Sequence, residues 1–124
     1  MTNPNYFSRL GLEVAYREGG PWLDALTYYL RGNLDLVTRF AGASLPGLHP
    51  MRPDASFLVW IDARPVDDRV GDVKAFFLEQ AKVNLYNGRV YGPGGEGFIR
   101  LNIGCPRPLL RDALNRMAEA LGKA

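Results

Sequence analysis

The sequence predicts an α+β fold: a mixed sheet of three to four strands with helices packed on one face. Three observations carry this. Apolar stripes at helical spacing lie near both ends of the chain, and short runs rich in branched and aromatic residues lie between them. The resulting order is helix, helix, strand, helix, strands, helix.

Phe7, Leu10 and Val14 give a short first helix, which Gly19-Gly20-Pro21 punctuates. Pro21 suits the first turn of a second helix, where its missing N–H costs nothing. Leu23, Leu26, Leu30, Leu34, Val37 and Phe40 continue one stripe along that helix, with Gly32 as its weak point. Three prolines and two glycines between Gly42 and Pro53 break the helix and leave a brief extended stretch around Leu48 to Met51.

Ser56 to Asp62 is almost continuously apolar and reads as a buried strand. Val70 to Lys82 places Val73, Phe76, Phe77 and Gln80 at helical intervals and predicts a third helix. Val83 to Tyr86 reads as a strand entering a turn at Asn87-Gly88. A glycine-rich loop, Gly92 to Gly97, then leads into a strand, Phe98 to Ile103. Pro106 and Pro108 introduce a last helix that buries Leu110, Leu114, Met117 and Leu121.

The chain has 124 residues, 47% of them hydrophobic, which is the size and content of one domain with a real core. A formal charge of +2 gives no clustered basic footprint, so no nucleic-acid partner is expected. No uninterrupted apolar segment is long enough to span a bilayer, so no membrane is expected either. The polar stretch Met1 to Asn5 lacks the basic start and apolar run of a secretory signal. A single cysteine, Cys105, excludes an internal disulfide framework and fits the cytoplasm. His49 is the only histidine, so a metal cluster has no second imidazole.

Strand side chains alternate faces, which sets Ile99, Leu101 and Ile103 against Phe98, Arg100 and Asn102. An arginine beside an aromatic and an amide is either a fork for a carboxylate, donating two parallel hydrogen bonds, or a surface arginine on a half-exposed sheet. The glycine-rich loop lacks a Gly-Lys-Ser/Thr ending and leads to a strand, so it is no nucleotide cradle. Its glycines serve a turn or a close backbone approach. Cys105 reads as a structural thiol, and Trp22, Tyr28, Tyr29, Phe57, Trp60, Phe76 and Phe77 read as core.

Three stretches, Glu13 to Leu26, Ser56 to Asp62 and Tyr91 to Arg107, resemble in order and spacing the carboxy-terminal region of the cystathionine β-lyase-like, or carbon-sulfur lyase, branch of the class I/II aminotransferases. The resemblance implies the small domain of the pyridoxal-phosphate-dependent transferase fold. Residues 1–20 would end a large-domain or linker helix, and residues 21–124 would form the small domain. It assigns to Arg100 the binding of an amino-acid substrate's α-carboxylate, with Tyr91, Gly92 and Asn102 as possible substrate-side residues.

In that family pyridoxal phosphate, held as a Schiff base on a lysine, acts as an electron sink. The lyase branch then releases a β-thiol and yields pyruvate and ammonia. The family's lysine lies in a serine-x-x-lysine type of segment, and no serine of this chain has a lysine three residues later. Lys74, Lys82 and Lys123 lie outside that context. The expectation is thus a carboxy-terminal fragment, inactive alone and binding no cofactor by itself. Its missing partner is a large domain, and the parent enzyme is a homodimer. The alternative is a noncatalytic module that binds a ligand or partner through the sheet face around Arg100.

Overall fold

Asn5 opens the first helix by accepting the Ser8 N–H on its Oδ1 at 2.8 Å, which satisfies one of the orphan donors of the first turn. The computed structural model describes residues 5–124; Met1 to Pro4 lie outside them. Helix α1 (Tyr6–Glu18) buries no residue, and after Gly19 the chain enters α2 (Gly20–Ser44), with Pro21 in its first turn as expected. Burial along α2 begins only at Asn33 and continues through Leu34, Leu36, Val37 and Ala41. The amino-terminal half of the stripe, from Leu23 to Leu30, stays exposed or half-buried.

Four strands follow the expected segments: β1 (His49–Pro50), β2 (Leu58–Asp62), β3 (Tyr86–Asn87) and β4 (Phe98–Asn102). They lie in the order β1-β2-β4-β3, and every hydrogen-bonded pair is antiparallel. The α+β class and the strand number agree with the sequence, but the mixed pairing does not. The helical excursion after β2 does return β3 in the same direction as β2. However, β4 reverses directly from β3 and inserts between the two, so the parallel relation is never hydrogen-bonded.

One face of the sheet is closed. Val59, Ile61, Ile99 and Leu101 are buried on β2 and β4, joined by Ile103 just beyond. They share one core with Leu34 and Val37 of α2, with Val73 and Phe77, and with Leu110, Leu114, Met117 and Leu121 of α5 (Arg107–Leu121). The alternate side chains, Leu58, Trp60, Asp62, Phe98 and Arg100, are half-buried, and Asn102 is exposed.

The third helix departs from the expected Val70 to Lys82. Pro65 starts a helix earlier, α3 (Arg64–Val70), which ends at Gly71 with φ at +86°. Asp67 accepts the Val73 N–H and Asp72 accepts the Ala75 N–H, so two carboxylates cap a new helix, α4 (Val73–Phe76). A π-helical turn, Phe77–Ala81, continues it and inserts a residue into the helical period. The inward position therefore passes from Gln80, which is exposed, to Ala81, which is buried.

Gly32 is not a weak point in the sense expected. A Cβ at that position would lie 2.5 Å from Arg107 Nη2, so the glycine makes room for the guanidinium. Arg107 Nε donates to Asn33 Oδ1 at 2.9 Å and its Nη2 to the Tyr29 carbonyl at 3.1 Å. Asn33, fully buried, donates from Nδ2 to the carbonyls of Ile103 and Cys105 at 2.9 and 3.0 Å. This knot ties α2 to the segment that follows β4. The aromatic set read as core also divides: Phe77 is fully buried and Phe76 packs on the core, whereas Trp22, Tyr28 and Phe57 are exposed.

Candidate functional site

The site is built on the open face of the sheet, where antiparallel register decides which side chains meet. Arg100 on β4 stands opposite Trp60 on β2 and opposite Tyr86 on β3. Cross-strand partners on one face approach within side-chain contact. The guanidinium carbon of Arg100 lies 4.5 Å from the Tyr86 ring centroid and 4.8 Å from that of Tyr91. Tyr91 meets the indole of Trp60 edge to face at 5.5 Å, and Trp60 stacks on Phe98 at 5.9 Å. The arginine thus rises from a floor of four aromatic rings.

A second arginine reaches this face. The Arg64 guanidinium lies 5.2 Å from the Phe98 ring centroid, but its charge is already matched. Its Nη2 donates to Asp62 Oδ2 at 2.6 Å and its Nε to Oδ1 at 3.0 Å, a bidentate pair. That hydrogen bonding holds the Asp62 carboxyl below its usual range and pushes the Arg64 guanidinium up. Among the described residues, Arg100 pairs with no carboxylate and its side chain makes no hydrogen bond. Its Nε is buried without an acceptor. Of the two cations on the face, Arg100 is the one left with donors for an anion from outside.

The substrate-side residues expected from sequence are spread unevenly. Tyr91 ends the 3₁₀ turn Gly88–Tyr91 and touches Arg100 directly. Gly92 terminates that turn with φ at +115°. Asn102 stands two positions beyond Arg100, but its Oδ1 accepts the Gly104 N–H at 2.8 Å. Its oxygen thus closes a turn, leaving only Nδ2 to point elsewhere. The loop closes on the 3₁₀ turn: the backbones of Gly88 and Gly95 approach so closely that a Cβ on either would overlap the other's carbonyl. Both sequence readings of the glycines apply: Gly92 and Gly94 take positive φ in the turn, and Gly95 and Gly97 allow close approach to Gly88 and Arg64.

Two residues of the site escape the sequence reading: Tyr86, and Trp60, which reads as core but is half-buried on the open face. The signal was present for Trp60 alone. Alternation through Leu58 to Asp62 puts Trp60 on the open face, yet the unbroken apolar run reads as buried on both sides. Tyr86 could be placed only once the register of β3 on β4 was known. Cys105 is half-buried, and burial pushes its thiol up, which suits a structural rather than a reactive cysteine.

A separate groove of about 490 Å³ runs between the exposed half of α2 and the loop before β2, lined by Leu23, Leu26, Leu30, Leu34, Phe57 and Ile103 among others. None of the sheet-face residues lines it, so it is a different surface from the Arg100 face.

Comparison with known proteins finds similar chains over nearly the whole length. Cystathionine beta-lyase PatB of Bacillus subtilis is 42% identical over 117 residues, covering 94% of this chain and 30% of PatB. Protein MalY of Escherichia coli is 35% identical over 121 residues, covering 98% of this chain and 31% of MalY. A crystal structure of a C-S lyase from Staphylococcus hominis, bound to pyridoxal phosphate and complexed with L-cycloserine, superimposes with a TM-score of 0.92. It is 27% identical, and the match covers 99% of this chain and 33% of that one. The chain matches the carboxy-terminal part of pyridoxal-phosphate-dependent, aminotransferase-fold enzymes.

It spans about a third of the length of these relatives. No family model matches it. Its α+β architecture matches the small domain of that fold. The described residues do not make a cradle for pyridoxal phosphate. Lys82 donates its Nζ to the Glu79 carbonyl at 2.8 Å, Lys74 lies on α4, and Lys123 follows α5; none is on the sheet face of Arg100. The unpaired donors on that face, those of Arg100, have the chemistry to receive a carboxylate.

Proposed function

We propose that this chain is the substrate-carboxylate-binding part of a pyridoxal-phosphate-dependent carbon-sulfur β-lyase or aminotransferase. The observation that carries the proposal is the state of Arg100: a half-buried guanidinium on an open sheet face, steadied by aromatic rings and left without a carboxylate, while its neighbour Arg64 is matched by Asp62. A bidentate arginine fixes both position and orientation of a carboxylate, and with it the bond at Cα that is to break. The lyase reading is favoured by identity to PatB, whose name states a cystathionine β-lyase.

In this account the cofactor supplies an electron sink at the amino acid's Cα, and it is held by sequence outside this chain. Arg100 holds the carboxylate, Tyr91 and Gly92 border it, and Asn102 offers Nδ2 at its edge. Residues 1–20 act as a linker or large-domain helix, in keeping with an α1 that buries nothing. The exposed half of α2 and the groove beside Phe57 are surfaces for a large domain, and the parent is a homodimer working in the cytoplasm. The purified chain mixed with pyridoxal phosphate is expected to release no pyruvate from cystathionine. Sustained turnover by the chain alone would contradict the proposal.

A further inference from the structure

The unpartnered Nε of Arg100 carries a second conclusion. A guanidinium can receive a carboxylate end-on, through Nη1 and Nη2, or side-on, through Nε and one Nη. Here Nε is sealed from solvent and has no acceptor, while the rings of Tyr86 and Tyr91 both lie against the guanidinium carbon. Aromatic faces are electron-rich and attract a cation placed over them, and this attraction grows as water is excluded. An arginine side chain otherwise carries large rotamer freedom, which ligand binding must remove.

Resting on the carboxylate role proposed above, we infer that Tyr86 and Tyr91 are positioning residues that pin Arg100 with its Nε closed off, so that an amino acid's carboxylate is received end-on by Nη1 and Nη2.

The two rings come from different devices. Tyr86 is fixed by its register against Arg100 on β4. Tyr91 is fixed by the 3₁₀ turn, which Asn87 caps by accepting the Arg89 N–H at 2.9 Å, and by its edge contact with Trp60. Neither ring is part of the buried core, since Tyr86 is 57% and Tyr91 50% exposed. Removing either therefore tests the arginine without emptying the fold's interior. Both tyrosine hydroxyls are dispensable in this account, because the faces of the rings do the holding.

Nuclear magnetic resonance of the ¹⁵N-arginine-labelled chain tests it. The Arg100 Nε–H signal is expected to be displaced by ring current and slow to exchange with water. Tyr86→Leu and Tyr91→Leu should each return it toward the position of an unstructured arginine, whereas Tyr86→Phe should leave it in place, with backbone amide spectra preserved in all three. Titration with L-alanine should then perturb the Arg100 Nη groups more than Nε, and each Leu variant should weaken that binding about two- to tenfold, the range set by immobilising one long side chain.

Leu variants that leave the Nε–H signal unchanged would overturn the clamp, as would a titration in which Nε responds most. If L-alanine perturbs no Arg100 signal in the unsubstituted chain, the carboxylate role falls, and the tyrosine variants still decide whether the ring clamp exists.

Discussion

At the scale of single residues, the chain shows two arginines used in opposite ways. Arg107 is consumed by the fold: it donates to Asn33 and Tyr29 and lies 4.7 Å over the Tyr29 ring. Arg100 is held but not consumed. The knot around Arg107 yields two stability predictions, both checked by urea denaturation. Asn33→Ala strips the acceptor from Arg107 Nε and the donor from two backbone carbonyls, and should cost about 2–4 kcal/mol. Gly32→Ala gains about 1 kcal/mol of helix propensity but displaces Arg107 Nη2, whose charge-assisted hydrogen bond to the Tyr29 carbonyl contributes about 1.5–3 kcal/mol. The loss wins, and a net destabilisation of about 1 kcal/mol is expected.

The Asp62–Arg64 pair gives a pH prediction with a definite sign. Arg64 holds the Asp62 carboxyl below its unfolded value, so the pair's contribution is complete above the unfolded carboxyl pKa, about 4, and is lost as pH falls through the lower folded value. The wild type should therefore exceed Asp62→Asn in stability at neutral pH, and the gap should close under acid. Because Arg64 is largely exposed, solvent screening keeps the effect small. Unfolding midpoints measured across that acid range check it.

Among elements, the ones with strong local signals were legible. The α5 stripe of Leu110, Leu114, Met117 and Leu121 is buried as its spacing requires, and the alternation of β4 puts Ile99 and Leu101 inside and Arg100 outside. What escaped the sequence depends on contacts made across it. Gly71 and the caps from Asp67 and Asp72 split the third helix, and the π turn moved burial from Gln80 to Ala81. Tyr86 entered the site through a register that no local pattern specifies. On α1, Phe7 is 80% exposed and Leu10 and Val14 are partly so. An uncovered apolar stripe favours association. The chain should self-associate with rising concentration in analytical ultracentrifugation, and Phe7→Glu with Leu10→Glu should reduce it.

For the whole molecule, the division of labour is the main point. A buried core packs behind the sheet, while among the described residues α1 buries nothing and the half of α2 before Asn33 stays exposed or half-buried. This pattern is in keeping with the proposed role, in which the domain carries one anchoring group to chemistry supplied elsewhere. The most direct test grafts the chain onto PatB in place of the matching carboxy-terminal segment and follows pyruvate release from cystathionine with pyridoxal phosphate present. The account predicts turnover by the graft and a fall in kcat/KM of about a hundredfold or more on Arg100→Ala, the consequence of leaving a carboxylate unpaired. A graft that turns over equally well with alanine at that position would contradict it.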